Sequence, residues 1–339
     1  MFSCKNTNIL LSYGIGGLHS VNKNQHFKTD NTYQLLTSDV ASLYPTLIIN
    51  YRLFRYLEVV QRYSELKEER ILAKHGKLVG RDNDLINKFN KLVLNGVSGL
   101  LDMGYSWLYY PEGAMKLRLI GQLILTKLIE EAALAGFNVV SANTDGIEVL
   151  VEHNRIDEYY SIVEKVQSQF NVEFEHENYK EIYYWSVNDY IAVINDNYSK
   201  VKGLMVSKPE LGKSVDNLII PKALQLYFEK DIPIEETIQN EKNIYLFCAS
   251  PKVDRSYTVI WNNEPQQRLN RFFVSRSGSY LYKQKKGENL HHMLKGHTVQ
   301  LLNYCTDNDA SKYDVNYQYY ISKCQELIDL VQPKQLSLF

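Results

Sequence analysis

The sequence of 339 residues has little that would place it in a membrane or in an oxidising compartment. No apolar run approaches the roughly 20 residues that cross a bilayer, and the N-terminus lacks the long hydrophobic core of a signal peptide. No C-x-x-C pair occurs among the four cysteines, which are Cys4, Cys248, Cys305 and Cys324. This scatter argues against a zinc site and a disulfide framework. We therefore expect an untargeted, soluble protein with no membrane contact, in a reducing intracellular setting.

The sequence also lacks internal repeats, low-complexity stretches and a strong charge of either sign. Because the formal net charge is only -1, a role with nucleic acids would have to come from local basic patches. The length and a hydrophobic content of 45% allow a large core divided into two or three subdomains.

Hydrophobic and charge periodicity predicts several helices in the first half of the chain. A strand should end at Asp39, and Pro45 should open a helix. The longer helices are predicted over Val60–Lys74, Leu85–Leu101, Met115–Leu134 and Arg155–Phe170. The first two form a helical hairpin. Strand-like stretches follow at 182–194 and 198–206.

The segment "VVSANTDGIEVLV", 139–151, is predicted to be a hairpin, because Gly146 accepts a positive φ and Asp145 tolerates one. Asp145 could then be a turn residue and nothing more. A partner for it exists in Asp39, a second single carboxylate at the end of an apolar strand. If the two strands are antiparallel neighbours, the carboxylates meet at one edge, as a pair of Mg²⁺ ions roughly 3.5–4 Å apart requires.

Three motifs resemble those of family B DNA polymerases. "DVASLYP", Asp39 to Pro45, matches every fixed position of motif A, D-x-x-S-L-Y-P. "KLVLNGVSG", Lys91 to Gly99, is similar to motif B, K-x-x-x-N-S-x-Y-G, with Gly96 and Ser98 as departures. "NTDGIEV", Asn143 to Val149, resembles motif C, D-T-D-S, with Asn143 for the first Asp and Gly146 for Ser. The motifs occur in the family's order, 52 and 54 residues apart when counted from Asp39 to Lys91 to Asp145.

The resemblance implies an α+β, right-hand polymerase fold with an antiparallel-sheet palm, short helical-hairpin fingers and a thumb. It assigns 1–51 to the N-terminal part of the palm with motif A and 52–101 to the fingers with motif B. The rest of the palm, with the motif C hairpin, is 102–210, and the thumb is 211–339.

The implied reaction is template-directed extension of a primer 3′-hydroxyl with deoxynucleoside triphosphates. By resemblance, the catalytic residues are Asp39, Asp145 and Lys91, and two Mg²⁺ ions, with Mn²⁺ as an alternative, are held by Asp39, Asp145 and the main-chain carbonyl of Val40. Lys91 is the implied general acid toward pyrophosphate, and Lys88 is a near alternative. Strand register leaves open whether Glu148 touches the metal site.

Arg70 and Lys74 stand at i and i+4, so they share one helix face, and Lys91 lies on the facing helix. The resemblance makes these three cations ligands of the triphosphate. A solvated face paired with neighbouring glutamates is the alternative for the first two. The other nucleotide-binding residues that the resemblance implies are Ser42, Leu43, Asn95, near the nascent base pair, and Tyr44, which would exclude a 2′-hydroxyl.

Contacts with primer-template DNA are implied in two regions. "SVNDYIAV" falls where the family has a K-x-Y motif, and there Tyr190 matches while Asn188 replaces Lys. The stretch from Arg268 to Lys295 holds seven Lys or Arg against one Glu, which suits a DNA backbone or simply a solvated basic surface. The predicted DNA-binding residues are Gly99, Tyr190, Lys200, Lys202, Arg271, Arg276 and Lys283.

Only 38 residues precede Asp39, too few for the proofreading exonuclease domain of many family members. The expectation is a polymerase core without proofreading, similar to bacteriophage and mobile-element enzymes and located in the cytoplasm, that of a host cell if phage-encoded. A separate exonuclease chain or processivity factor is a candidate partner. Two alternatives stay open. The first is a DNA-binding relic or one chain of a split polymerase, and the second is a different two-metal enzyme such as a nuclease.

Overall fold

The computed structural model describes residues 2–3, 9–209, 216–304 and 307–332. Cys4 and Cys305 lie outside these ranges. The chain divides into two compact units, the first formed by the described residues up to Lys23 together with Phe27–Lys180. The second is formed by Asn24–His26 and the described residues from Glu181 onward. This division does not test the four segments expected from the sequence, whose boundaries stay predictions.

The α-helices of the described residues are α1 (Leu43–Asn50), α2 (Leu57–Lys74), α3 (Asn83–Leu100), α4 (Pro111–Leu134), α5 (Ile156–Phe170), α6 (Ile219–Lys230), α7 (Ile234–Asn240) and α8 (Tyr317–Val331). The strands that precede α6 are β1 (Phe2–Ser3), β2 (Leu10–Gly14), β3 (Gly17–Ser20), β4 (Gln25–Lys28), β5 (Tyr33–Val40), β6 (Asn138–Asn143), β7 (Gly146–Glu152), β8 (Phe174–Tyr179), β9 (Glu181–Ser186), β10 (Asp189–Asn195) and β11 (Tyr198–Lys202). Those that follow α7 are β12 (Tyr257–Trp261), β13 (Glu264–Gln266), β14 (Phe272–Ser279), β15 (Leu281–Lys285), β16 (His291–His292) and β17 (Val299–Leu301).

The first unit is built on a seven-stranded sheet with the order β1-β2-β3-β6-β7-β5-β8. Its described strand pairs are antiparallel. The helices α1, α4 and α5 and the strands β5, β6 and β7 contribute apolar side chains to one core, in which Leu36, Leu47, Leu125, Val149 and Tyr159 are fully or almost fully buried. Burial on this scale holds β5 against β7 and thereby sets the strand ends that carry Asp39 and Asp145.

The helices α2 and α3 pack side by side as a helical hairpin. Asp82 caps α3 by accepting a hydrogen bond from the Leu85 N–H at 3.0 Å. The buried Tyr63 hydroxyl of α2 donates to the Leu94 carbonyl of α3 at 2.6 Å. These bonds fix the register of the hairpin, so cationic side chains on α2 and α3 are held by a rigid scaffold.

The second unit contains three smaller sheets. Their strand orders are β11-β10-β9-β4, β13-β12-β15-β16 and β14-β17. Of β4, only Gln25 and His26 belong to this unit. Its main core combines α6, α7 and α8 with β9, β10 and β14 around buried rings such as Phe247, Phe273 and Tyr320. Within the described chain, Cys248 and Cys324 are buried free thiols.

The mixture of helices and antiparallel sheets confirms the predicted α+β class. The predicted helices agree with α2, α3, α4 and α5 to within a few residues at each end, and α1 begins two residues before Pro45. The strand-like stretch 182–194 is divided between β9 and β10, because Val187 and Asn188 form a turn. Among the described residues, we find no helix with the length and apolar character needed to span a membrane.

Candidate active site

Asp39 and Asp145 lie at the same edge of the seven-stranded sheet. Strands β5 and β7 are antiparallel neighbours, with Asp39 paired opposite Gly146. The Val40 N–H donates to the Asp145 carbonyl at 2.7 Å, which ties the end of β5 to the turn before β7. The condition on which the meeting of the two carboxylates depended, that their strands are antiparallel neighbours, is therefore met. Asp39 is half-buried and Asp145 is exposed.

The turn between β6 and β7 differs from the expected one in its backbone. Asn143 pairs with Gly146, so the two loop residues are Thr144 and Asp145. The positive φ, 39°, belongs to Thr144, whereas Gly146 is the first residue of a strand. The prediction that Gly146 and Asp145 would take the positive φ of this turn is wrong. Gly146 is required for space, because a Cβ there would overlap the Asp39 carboxylate. A β-branched residue in the left-handed region is strained, and such strain concentrates at functional sites.

Asn143, the departure from motif C, is held by the neighbouring strand. Its Oδ1 is hydrogen-bonded to His19 Nδ1 at 3.0 Å and accepts from the Thr144 hydroxyl at 3.3 Å. The Thr144 N–H donates to the Leu18 carbonyl at 2.8 Å. The side chain at position 143 therefore anchors the turn to β3 and steadies the loop that carries Asp145.

A cavity of about 460 Å³, here called the carboxylate cavity, opens beside the two aspartates. It gathers nine residues that the family resemblance assigned to metal or nucleotide, namely Asp39, Val40, Ser42, Leu43, Tyr44, Arg70, Lys91, Asn95 and Asp145. It is also lined by Pro45, Ser98, Thr144 and Glu175. The β5–β7 edge, the start of α1 and the helices α2 and α3 thus converge on one space.

Arg70 is positioned by Ser42, the residue directly before α1. Ser42 has a left-handed backbone, with φ and ψ both 51°, and its hydroxyl accepts a hydrogen bond from Arg70 Nη1 at 2.7 Å. Arg70 Nε is buried and has no hydrogen-bond partner among the described residues. Burial lowers the pKa of the Arg70 guanidinium, while the nearby Glu175 opposes that shift. Arg70 therefore presents a partly desolvated cation to the cavity.

Lys74 does not line the carboxylate cavity. Its amine forms an ion pair with Glu175, which lies on β8 directly opposite Asp39. Lys74 and Arg70 instead share an adjacent cavity of about 300 Å³, here called the lysine cavity, with Lys67. The sequence pattern did not identify Glu175 or Lys67, because the pairing of β8 with β5 and the seat of α2 are long-range features.

Lys91, Asn95 and Ser98 lie at i, i+4 and i+7 of α3 and line the carboxylate cavity from one helix face. Ser98, which replaces the tyrosine of motif B, donates its hydroxyl to the Asn95 carbonyl at 2.8 Å. Two other candidates, Lys88 and Gly99, are exposed on α3 and are not among the lining residues.

Tyr44 lines the carboxylate cavity with its ring and donates its hydroxyl to the Gly16 carbonyl at 3.3 Å. Burial raises the pKa of the Tyr44 phenol, Arg118 opposes the shift and Asp145 adds to it. Glu148 is buried on β7 opposite Thr37 of β5 and is absent from the described lining residues.

The oxygen atoms at this edge fit a divalent cation chemically. Two carboxylates and a main-chain carbonyl are hard ligands of the type that Mg²⁺ binds, and Mg²⁺ completes its shell with water and substrate phosphates. In the described part of the chain, no group of three or more His, Cys, Asp or Glu side chains is placed to hold a metal ion. Asp39, Asp145 and the Val40 carbonyl stay the predicted metal ligands.

The predicted DNA contacts beyond α3 lie in the second unit. Tyr190 of β10 pairs opposite Lys202 of β11, whose amine lies 5.9 Å from the Tyr190 ring centroid. Lys200 follows the same strand face two residues earlier, opposite Ala192. These strands place the Lys202 amine beside the Tyr190 ring and Lys200 on the same strand face. The DNA-binding role of the three residues stays a prediction.

Basic side chains of the stretch from Arg268 to Lys295 contact different groups of the chain. Arg271 lies 5.0 Å from the Tyr245 ring, and Lys283 lies 5.2 Å from the Tyr257 ring. Arg276 forms an ion pair with Asp314 through its Nη2 at 2.6 Å. Asp314 thus offsets the charge of Arg276, whereas Arg271 and Lys283 each lie over an aromatic ring.

Comparisons with known proteins give a structural likeness. No protein-family model matches the sequence, and no curated protein matches it either. The family B DNA polymerase from the hyperthermophilic archaeon Pyrobaculum calidifontis has a similar fold, with a TM-score of 0.52 and 12% sequence identity. The alignment covers 98% of this chain and 48% of that polymerase, so the chain spans about half of its length. At this identity the likeness concerns the fold alone.

Proposed function

We propose that the chain is the catalytic core of a DNA-directed DNA polymerase that extends a primer 3′-hydroxyl with deoxynucleoside triphosphates. The observation that carries the proposal is the carboxylate cavity, where Asp39 and Asp145 face the cations Arg70 and Lys91. Paired carboxylates beside phosphate-binding cations are what phosphoryl transfer requires. The fold shared with a family B polymerase supports the proposal.

In the proposed reaction, the primer 3′-oxygen forms a bond to the α-phosphorus and loses its proton to solvent. The bond from the α-phosphorus to the bridging oxygen breaks, and pyrophosphate leaves with the electron pair. Mg²⁺ held by Asp39, Asp145 and the Val40 carbonyl would supply Lewis-acid stabilisation of the phosphate oxygens. Arg70 binds the triphosphate through a guanidinium held by Ser42, and Lys91 donates a proton to the leaving group.

Other side chains of the carboxylate cavity would select the nucleotide. Tyr44 packs against the sugar, Asn95 lies near the base pair, and Leu43 and Ser42 border the triphosphate. Lys74 can reach the phosphates after its ion pair with Glu175 opens. Opening costs little, because an exposed ion pair of this kind contributes little stability. In this proposal α2 and α3 are the fingers, the sheet of the first unit is the palm, and Tyr190, Lys200, Lys202, Arg271 and Lys283 contact primer-template DNA.

The direct test is extension of a labelled primer on a DNA template by the purified chain with Mg²⁺ and four deoxynucleotides. Asp39→Asn and Asp145→Asn should each lower the extension rate by at least about 1,000-fold, because each removes a metal-binding charge. Asp157→Asn, at an exposed carboxylate of α5, is the matched control and should extend like wild type.

The alternatives give different results in the same assay. A DNA-binding relic would bind primer-template without extending it, and its affinity would not respond to Asp39→Asn. A nuclease would shorten the primer, and the shortening would depend on the two aspartates. Either result would overturn the proposed polymerase activity.

A further inference from the structure

The lysine cavity carries an unusual set of charges for a space beside an active site. Lys67, Arg70 and Lys74 lie at i, i+3 and i+7 of α2, so one helix face directs them toward it. Two carboxylates, Glu173 and Glu175, line the same cavity. Three basic side chains thus face two carboxylates, and one of these, Glu175, is already paired with Lys74. The excess of basic side chains favours an anionic ligand.

Lys67 is the cation of this cavity that forms no direct ion pair, although Glu173 and Glu68 are close enough to attract its charge. Its amine is half-buried and makes no hydrogen bond or ion pair with any residue that the structure describes. Burial lowers the pKa of the Lys67 amine, and Glu173 is the carboxylate that most opposes the shift. A partly desolvated ammonium without a direct ion pair costs stability, and an anionic ligand in contact with it would offset that cost.

Arg70 connects the two cavities, since it lines both of them. The carboxylate cavity has the opposite balance, because Arg70 and Lys91 face Asp39, Asp145 and Glu175. When no divalent cation is present, a free anion should therefore avoid the carboxylate cavity and bind at the lysine cavity. Arg70 can hold a phosphate group on either side.

The size and lining of the lysine cavity point to a small inorganic anion. About 300 Å³ is at the lower limit for small-molecule sites. Among its described lining residues, the only aromatic ring is His75, so no Phe, Tyr or Trp is present to stack on a nucleobase. The cations suit the several oxygens of a polyphosphate group.

We propose that the lysine cavity is a subsite for pyrophosphate, the leaving group of the reaction, reached from the carboxylate cavity by way of Arg70. The inference rests on the proposed polymerase function. After bond cleavage, pyrophosphate exchanges Lys91 for Lys67 while Arg70 keeps contact with it. Glu173 and Glu175 compete for the same cations, which keeps the affinity low and lets the product leave.

The test is calorimetric titration of sodium pyrophosphate into the full chain, without DNA and without divalent cations. Lys67→Gln should weaken binding at least about tenfold, since a charge-assisted hydrogen bond is lost. Glu173→Gln should tighten binding by about threefold, because a competing anion is removed. Arg62→Gln, an exposed site on α2, is the control and should change the affinity less than about twofold. Lys91→Gln reports on the carboxylate cavity and should weaken binding less than Lys67→Gln does.

The opposite signs at Lys67 and Glu173 separate a charge effect from damage to the fold. The subsite is overturned if pyrophosphate does not bind, or if Lys91→Gln weakens binding while Lys67→Gln does not, because the anion then occupies the carboxylate cavity. The titration needs no extension activity. A chain that binds pyrophosphate through Lys67 but fails to extend a primer would overturn the proposed function alone, and the converse result would overturn only the subsite.

Discussion

Asp39 and Gly146 face each other across the β5–β7 pair so closely that a Cβ at position 146 would overlap the Asp39 carboxylate. The space beside Gly146 is therefore occupied by a proposed catalytic group. A glycine that follows the Asp145 turn thus determines where the carboxylate of the other strand can lie. By contrast, a Cβ at Gly96 or Gly104 would meet nothing within 4 Å.

Gly146→Ala should displace the Asp39 carboxylate. We expect the substitution to lower the free energy of unfolding by about 1–3 kcal/mol, the usual cost of overpacking. Primer extension should fall at least about tenfold, since a small misplacement of a catalytic group is costly. Urea unfolding and the extension assay measure the two effects. Gly96→Ala on α3 is the matched control and should keep or raise stability, so equal behaviour of the two variants would contradict the prediction.

Ser42 combines a left-handed backbone with a hydrogen bond to Arg70. Ser42→Gly and Ser42→Ala both remove the hydroxyl, so both should raise the KM for nucleotide by about tenfold through loss of Arg70 positioning. Glycine relieves the backbone strain, whereas alanine keeps it. Ser42→Gly should therefore be more stable than Ser42→Ala by about 1 kcal/mol. Steady-state kinetics and urea unfolding test this, and an unchanged KM in both variants would show that Arg70 does not depend on Ser42.

Lys67 should make stability depend on pH in a defined direction. Burial lowers the pKa of its amine in the folded state, so the unfolded chain binds the proton more tightly than the folded chain does. The free energy of unfolding is therefore reduced, and the reduction is complete below the folded-state pKa. The reduction disappears as the pH rises toward the ordinary lysine pKa of about 10.4. Lys67→Gln should therefore be more stable than wild type at pH 7, by less than about 1 kcal/mol because solvent screens the exposed part of the amine.

The measurement is urea unfolding of wild type and Lys67→Gln at pH 7 and at about pH 9.5, near the lysine pKa. The difference should be smaller at the higher pH. Arg62→Gln, which alters an exposed cation paired with Glu65 on the same helix, should show no such pH dependence. A wild type more stable than Lys67→Gln at pH 7 would show that burial does not penalise this amine.

Much of the candidate site could be predicted from local sequence. Asp39 and Asp145 stand out as single carboxylates next to apolar strands, and helical periodicity puts Arg70 and Lys74 on one face of α2. Nine of the residues assigned to metal or nucleotide line the carboxylate cavity. The roles of these residues stay predictions. The position of the hairpin could be predicted because its turn and strands are contiguous in sequence. The residue with the positive φ could not be predicted in this way.

What the sequence by itself determined is the set of elements and the faces they present, because periodicity and turn chemistry act over a few residues. Tertiary structure alone decided that β8 lies beside β5, that Glu175 therefore takes the amine of Lys74, and that Lys67 is half-buried beside Arg70. Strand order and helix seating depend on how the whole core buries its apolar surface. Residues distant in the chain become charge partners only when that core has formed.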